Sequence, residues 1–116
     1  MLKNNYGHIV AVSSCAGFTG LRNLVPYCGS KYAVRGLMEA LENEIVMGMK
    51  RSIHFTVVYP YIVDTGLCKS VHARFEQSKE MLNPKYVADK IIEAQRRNLN
   101  EVSVPNIYMF THNICR

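Results

Sequence analysis

Residues 7–13, Gly-His-Ile-Val-Ala-Val-Ser, are the stretch that decides the fold. Their centre is continuously apolar and rich in β-branched residues, which is typical of a parallel strand buried on both faces. Gly17, Gly20 and Asn23 mark residues 14–24 as a loop. The sequence therefore predicts a strand over 7–13 that leads through a loop into the next element.

That next element is predicted to be a long helix from Pro26 to about Met47. Proline is suited to the first turn of a helix, and Gly48 follows as a terminator. Apolar residues recur at helical spacing and are expected to form the buried stripe of the helix: Val34, Leu37, Met38, Leu41 and Ile45.

The pattern of strand and helix continues along the chain. Ile53–Tyr59 is predicted to be a second strand, closed by Pro60, and residues 101–105 a short third strand. Asn83 and Pro84 begin a second helix as N-cap and first helical residue. Alternating strands and helices predict βαβ units with a parallel sheet, an α/β fold.

Composition is that of one small soluble domain of 116 residues, 48% hydrophobic and 20% charged. The net charge of +5 is spread along the chain, which favours a solvated surface over a binding patch for nucleic acid or an anionic membrane surface. No apolar run approaches the roughly 20 residues of a membrane helix, and the first residues do not form a signal peptide. We expect no metal site, and we expect the four cysteines to be free thiols because no pair has CxxC spacing.

Three residues could carry chemistry: Ser14, Tyr27 and Lys31. Tyr27 and Lys31 lie four apart at the start of the long helix, so they share a face. An ammonium group near a phenol stabilises the phenolate, and such a tyrosine can exchange a proton with an alcohol. Ser14 follows a parallel strand, where α/β sheets bind ligands. A simple surface pair of Tyr27 and Lys31 is the alternative that spacing alone leaves open.

The sequence around these three residues is a more specific signal than the spacing between them. Gly-His-Ile-Val-Ala-Val-Ser-Ser-Cys-Ala-Gly at 7–17 and Val-Pro-Tyr-Cys-Gly-Ser-Lys-Tyr-Ala-Val at 25–34 resemble the strand-serine and YxxxK motifs of the short-chain dehydrogenase/reductase family. The usual serine-to-tyrosine spacing of that family selects Ser14 over Ser13. The resemblance implies that Tyr27 is the general acid/base, that Lys31 supports it and binds the nicotinamide ribose, and that Ser14 orients the substrate oxygen.

Residues 59–66, Tyr-Pro-Tyr-Ile-Val-Asp-Thr-Gly, are similar to the family segment that follows the next strand. The resemblance implies that Pro60, Val63 and Thr65 contact the nicotinamide end of NAD or NADP, with NAD favoured. Tyr61 departs from the glycine that is common at its position in the wider family. The resemblance covers nearly the whole chain and weakens after about Ser70.

Within the family, the sequences of these motifs are most similar to one subgroup, the retinol dehydrogenases and lipid-droplet hydroxysteroid dehydrogenases. This implies a hydride-transferring oxidoreductase that acts on a lipophilic alcohol or ketone such as a retinoid or steroid. It also implies residence on the endoplasmic reticulum or lipid droplets, facing the cytoplasm, and a homo-oligomer formed through the YxxxK helix.

The glycine-rich turn TGxxxGxG, which binds the cofactor pyrophosphate in the family, has no match in the sequence. We therefore expect residues 1–116 to be the C-terminal half of a Rossmann-type doubly wound sheet, with the first half missing. The residue that separates NAD from NADP would lie in that first half. A truncated, non-catalytic product that pairs with full-length subunits is the alternative function.

From this we predict that the 116-residue chain by itself does not bind NAD or NADP with useful affinity and is poorly soluble or partly unfolded. Dinucleotide affinity rests on a pyrophosphate held by a glycine turn and a helix N-terminus, and a long apolar strand edge promotes aggregation. Titration calorimetry and size-exclusion chromatography of the purified chain test this. A soluble, cooperatively melting monomer that binds the cofactor would contradict it.

Overall fold

Three parallel strands and two helices make up the part of the chain that the computed structural model describes, residues 1–49, 52–66 and 81–106. The elements follow in this order: β1 (Gly7–Val12), α1 (Val25–Met47), β2 (Ile53–Pro60), α2 (Pro84–Arg96) and β3 (Glu101–Val104). Short 3₁₀ helices, Leu2–Asn4 and Cys15–Gly17, precede β1 and α1. The α/β class, with three parallel strands and two main helices, is confirmed.

The helices begin where local residues predict. In α2, the Asn83 side chain accepts a hydrogen bond from the Lys85 amide at 2.8 Å, and Pro84 occupies the first turn. In α1, Pro26 lies in the first turn, and the Gly48 amide closes the last turn on the Glu44 carbonyl at 3.0 Å. These contacts satisfy backbone groups that the helix itself leaves unpaired.

The strands lie in the order β1-β2-β3, with β2 in the centre. Gly7 lies opposite Ile53, and Val57 lies opposite Glu101. Because all three strands are parallel, the residues that follow them meet at one edge, which we call the carboxyl edge. In α/β sheets this is the edge where ligands bind.

Each face of the sheet carries its own apolar cluster. Alternate side chains of β2 point to opposite faces, so Phe55 and Val57 pack toward α1 while Val58 packs toward α2. Met38 is the buried residue of α1 in the first cluster, and α2 contributes Val87 and Ala94 to the second. A sheet covered by one helix on each face is the doubly wound arrangement.

The predicted apolar stripe of α1 is wrong at Leu37, which is 67% exposed. The row of α1 that faces the sheet passes through Arg35, Met38 and Glu42, since residues three and four apart share a face. Leu37 lies outside that row. The helix is therefore held by polar contacts as well as by apolar ones.

β1 has the residue pattern of a strand buried on both faces, but its residues are half-buried or exposed, in keeping with the apolar strand edge expected for this chain. β2 is the strand that is buried along almost its whole length. The reason is the sheet order, since β2 has a hydrogen-bonded neighbour on each side, whereas among the described residues β1 has β2 as its one neighbouring strand. The strand ends also shift, because β1 stops at Val12 and β2 continues through Pro60.

Candidate active site

The carboxyl edge begins with two serines at the end of β1. The Ser13 amide donates to the Val58 carbonyl at 2.8 Å, which extends the pairing with β2 by one residue. Ser14 has an extended backbone and begins the 3₁₀ helix Cys15–Gly17, where its Oγ accepts a bond from the Ala16 amide at 3.3 Å. Because the Ser14 hydroxyl acts there as an acceptor, its proton can be donated to a substrate oxygen.

Tyr27 and Lys31 lie in the first two turns of α1. The Lys31 ammonium is 5.6 Å from the centre of the Tyr27 ring, within the range of a cation–π contact. Tyr27 is 39% exposed, so its phenol is accessible to a ligand. The Lys31 ammonium thus lies against the Tyr27 ring, as the four-residue spacing predicts.

Ser14 is connected to Tyr27 and Lys31 through the residues on either side of it. The 3₁₀ helix that Ser14 begins packs directly on α1, and the Ser13 hydroxyl donates to the Lys31 carbonyl at 3.0 Å. The strand serine and the YxxxK helix therefore lie side by side. This arrangement suits a proton exchange at Tyr27 beside a hydroxyl that holds the reacting oxygen.

Pro60, Val63 and Thr65 lie at and beyond the carboxyl end of β2. Pro60 is buried as the last residue of the strand, and Val63 pairs with Leu82 in an isolated bridge. The Thr65 amide donates to the Val63 carbonyl at 2.9 Å, and Thr65 itself is exposed. Because β1 and β2 are adjacent and parallel, this segment and Ser14 share the carboxyl edge.

A polar network that the sequence did not reveal joins α1 to β2 and β3. Arg35 donates from Nε and Nη2 to the Glu101 carboxylate at 3.0 and 3.4 Å, and the Tyr59 hydroxyl donates to the same carboxylate at 2.6 Å. Burial first, and then the Glu101 carboxylate, raise the pKa of the Tyr59 phenol. Tyr59 therefore stays a neutral donor and is a structural residue, unlike the accessible Tyr27.

The two cysteines near the site are buried and free. Cys15 donates from Sγ to the Tyr59 carbonyl at 3.3 Å, and Cys28 accepts from the Leu21 amide at 3.4 Å. Burial raises the pKa of the Cys15 thiol to about 12, which keeps it protonated at neutral pH. Cys68 and Cys115 lie outside the described residues.

Within residues 1–49, 52–66 and 81–106, no three or more histidine, cysteine or acidic side chains are grouped as metal ligands. Among the same residues, no helix is both long and apolar enough to cross a membrane.

Comparison with known proteins gives one family. The model of the short chain dehydrogenase family matches residues 1–75. Short-chain dehydrogenase/reductase family 16C member 6 of Bos taurus is 37% identical over 94 residues, which are 81% of this chain and 30% of that protein. Epidermal retinol dehydrogenase 2 of Homo sapiens is 32% identical over 110 residues, 95% of this chain and 36% of that protein.

Retinol dehydrogenase 10 of Homo sapiens is 36% identical over 96 residues, 81% of this chain and 28% of that protein. This chain thus spans about a third of the length of these curated relatives. Among solved structures, one assigned to a short-chain dehydrogenase from Novosphingobium aromaticivorans superposes with a TM-score of 0.64 at 23% identity. It covers 96% of this chain and 38% of its own, and it supports the fold.

The protonated state of Cys15 gives a chemical prediction. With a pKa of about 12 in the fold, only about one thiol in ten thousand is ionised at pH 8, so we expect iodoacetamide to leave Cys15 unmodified at that pH. After denaturation the thiol is exposed and reacts. Peptide mass mapping measures both states, with this chain folded within a polypeptide of the length of its curated relatives, and rapid labelling of native Cys15 would contradict its structural role.

Proposed function

Because this chain belongs to the short-chain dehydrogenase family, we propose that it forms the catalytic part of an oxidoreductase. The reaction is hydride transfer between a nicotinamide cofactor and a lipophilic alcohol or ketone. The observation that carries the proposal is the position of Tyr27 and Lys31, in contact at the start of α1 beside the strand serine.

Each of the three residues has a distinct task. In the oxidative direction Tyr27 accepts the proton of the substrate hydroxyl, and in the reductive direction it returns a proton to the carbonyl oxygen. The Lys31 ammonium, 5.6 Å from the centre of the Tyr27 ring, places a positive charge beside the reacting phenol. Ser14 donates its hydroxyl proton to the substrate oxygen and so aligns it with Tyr27. Most of the catalytic effect then comes from positioning and electrostatics.

The donors at the carboxyl edge fit the nicotinamide end of NAD or NADP. The cofactor, when bound, supplies the acceptor or donor of hydride. The Lys31 ammonium and the Tyr27 hydroxyl suit the ribose hydroxyls. The exposed Thr65 and the backbone of Pro60 and Val63 suit the carboxamide, which needs both a donor and an acceptor. NAD is our preferred cofactor by resemblance to the retinol dehydrogenase subgroup.

The substrate class follows from the relatives. Two of the relatives compared are named retinol dehydrogenases, so a retinoid is the proposed substrate, with a steroid as the related choice. Such substrates dissolve in lipid. We therefore propose that the enzyme works at the cytoplasmic side of the endoplasmic reticulum or of lipid droplets.

We also propose that the enzyme forms a homo-oligomer through the outer face of α1. That face carries exposed Val25, Leu37 and Met47, and Gly29 and Gly36 leave it open to close approach. An apolar helix face of this kind is typical of an interface between subunits. The same face supports the second candidate function, a non-catalytic chain that pairs with full-length subunits.

Tests of catalysis need the completed enzyme, by which we mean this chain within a polypeptide of the length of its curated relatives. There, Tyr27→Phe removes only the phenol group, and we expect kcat to fall by about 10²–10⁴-fold while cofactor binding persists. The matched control is Tyr32→Phe, since Tyr32 lies on the same helix and is 38% exposed. Steady-state oxidation of retinol with NAD measures both, and near-normal turnover by Tyr27→Phe would refute the assignment.

For Lys31→Met we expect two effects together, a lower kcat and weaker cofactor binding, because one ammonium serves both the phenol and the ribose. Lys85→Met, a change in an exposed lysine of α2, is the control. An unchanged kcat and cofactor Kd would make Lys31 an ordinary surface charge.

For Leu37→Arg in the completed enzyme, we expect dissociation to a smaller species, because a charge on the outer face of α1 would be buried in the interface. Ile92→Arg is the matched control, since Ile92 is an apolar residue of α2 that is 47% exposed. Analytical ultracentrifugation compares the three proteins. Equal masses for all of them would place the interface elsewhere or exclude it.

A further inference from the structure

We propose that Ser13, the residue before the substrate-facing serine, is a positioning residue that sets where α1 lies relative to the end of β1. The proposal rests on the proposed function, because its consequence is the placement of Tyr27 and Lys31 beside Ser14. Ser13 lies outside the set of residues to which the reaction chemistry was assigned.

Ser13 connects three elements with its own two polar groups. It is 5% exposed. Its amide is bonded to the Val58 carbonyl of β2 at 2.8 Å, and its hydroxyl donates to the Lys31 carbonyl of α1 at 3.0 Å. Inside a helix each carbonyl already accepts a hydrogen bond from the amide four residues ahead. The bond from Ser13 is therefore a second hydrogen bond to the Lys31 carbonyl, and it connects the sheet to the helix. It reaches α1 at the residue that carries the ammonium.

Gly17 covers this hydrogen bond. A Cβ at Gly17 would lie 2.6 Å from the Ser13 Oγ and 2.9 Å from the Lys31 carbonyl oxygen, the two atoms that the bond joins. Contacts that short do not occur, so a side chain at position 17 would push those two atoms apart or displace the 3₁₀ helix. The glycine therefore lets that helix lie directly over the bond.

The hydrogen bond between Ser13 and Lys31 also affects where the reacting groups lie. Side chains of adjacent residues in extended backbone point in opposite directions, so Ser13 points to α1 while Ser14 stays available at the carboxyl edge. Moving α1 relative to Ser13 therefore moves Tyr27 and Lys31 relative to Ser14. A misplacement of about 1 Å is enough to cost about 10²-fold in rate.

The test is Ser13→Ala in the completed enzyme, compared with Ser30→Ala. Ser30 also donates its hydroxyl to a carbonyl of a proposed catalytic residue, Tyr27, at 2.7 Å, but that bond is exposed and stays within α1. It cannot fix the helix to the sheet. We expect kcat to fall by about 10- to 100-fold in Ser13→Ala and to be nearly unchanged in Ser30→Ala.

Two further readouts separate positioning from plain stability. In folded Ser13→Ala, kcat should fall while KM for the alcohol changes little, because Tyr27 and Lys31 keep their own contact and lose only their alignment with Ser14. Gly17→Ala, which disturbs the same bond from the other side, should reproduce the lower kcat with a nearly unchanged KM. Ser13→Thr, which keeps the hydroxyl, should retain kcat even if Ser13→Ala does not fold.

A Ser13→Ala enzyme that is folded and matches Ser30→Ala in kcat would overturn the proposal. A loss of activity that only follows the loss of folded protein would overturn it too, as would a low kcat in folded Ser13→Thr. Tyr27→Phe, run alongside, separates this outcome from failure of the proposed function. If Tyr27→Phe is inactive while Ser13→Ala is normal, only the role of Ser13 is refuted.

Discussion

Helix α1 is held on the sheet by a row of polar contacts, and the arrangement at the carboxyl edge depends on them. The Ser13 hydroxyl bonds the Lys31 carbonyl, Arg35 pairs with Glu101, and the Asn100 amide donates to Glu42 at 2.9 Å. These contacts follow one another down the inner face of the helix. An apolar stripe would tolerate sliding by a fraction of a turn, whereas hydrogen bonds and a bidentate ion pair are directional. The polar row therefore fixes both the height and the rotation of α1.

The strengths of these contacts differ with their surroundings. Arg35 and Glu101 are partly exposed, so solvent screens their charge and the pair contributes modestly to stability. The Tyr59 phenol on the same carboxylate is buried, and losing its partner would leave a buried donor unsatisfied at a cost of about 1–3 kcal/mol. The hydrogen bond from Ser13 to the Lys31 carbonyl is likewise covered, by the 3₁₀ helix at Gly17. These contacts therefore fix the position of α1 most strongly near β1 and β2, next to the residues that would bind substrate and cofactor.

The sequence predicts the local features of this structure well. Caps and breakers such as Asn83, Pro84 and Gly48 define the helix ends, and the spacing of Tyr27 and Lys31 predicts their contact. What it does not predict depends on residues far apart in the chain. Arg35 and Glu101 are 66 positions apart, and no local pattern indicates that they pair. For the same reason the outward direction of Leu37 could not be found from a period of 3.6 residues alone, since the polar row decides which side of α1 faces the sheet.

The most direct test of the account is a crystal structure of the completed enzyme with its nicotinamide cofactor and an alcohol. The account predicts that the hydroxyls of Ser14 and Tyr27 both lie within about 2.6–3.2 Å of the substrate oxygen, with the Lys31 ammonium on the ribose. It also predicts that the Ser13–Lys31 hydrogen bond is retained. A substrate oxygen that contacts neither hydroxyl, or an α1 rotated so that Tyr27 points away from the carboxyl edge, would contradict it.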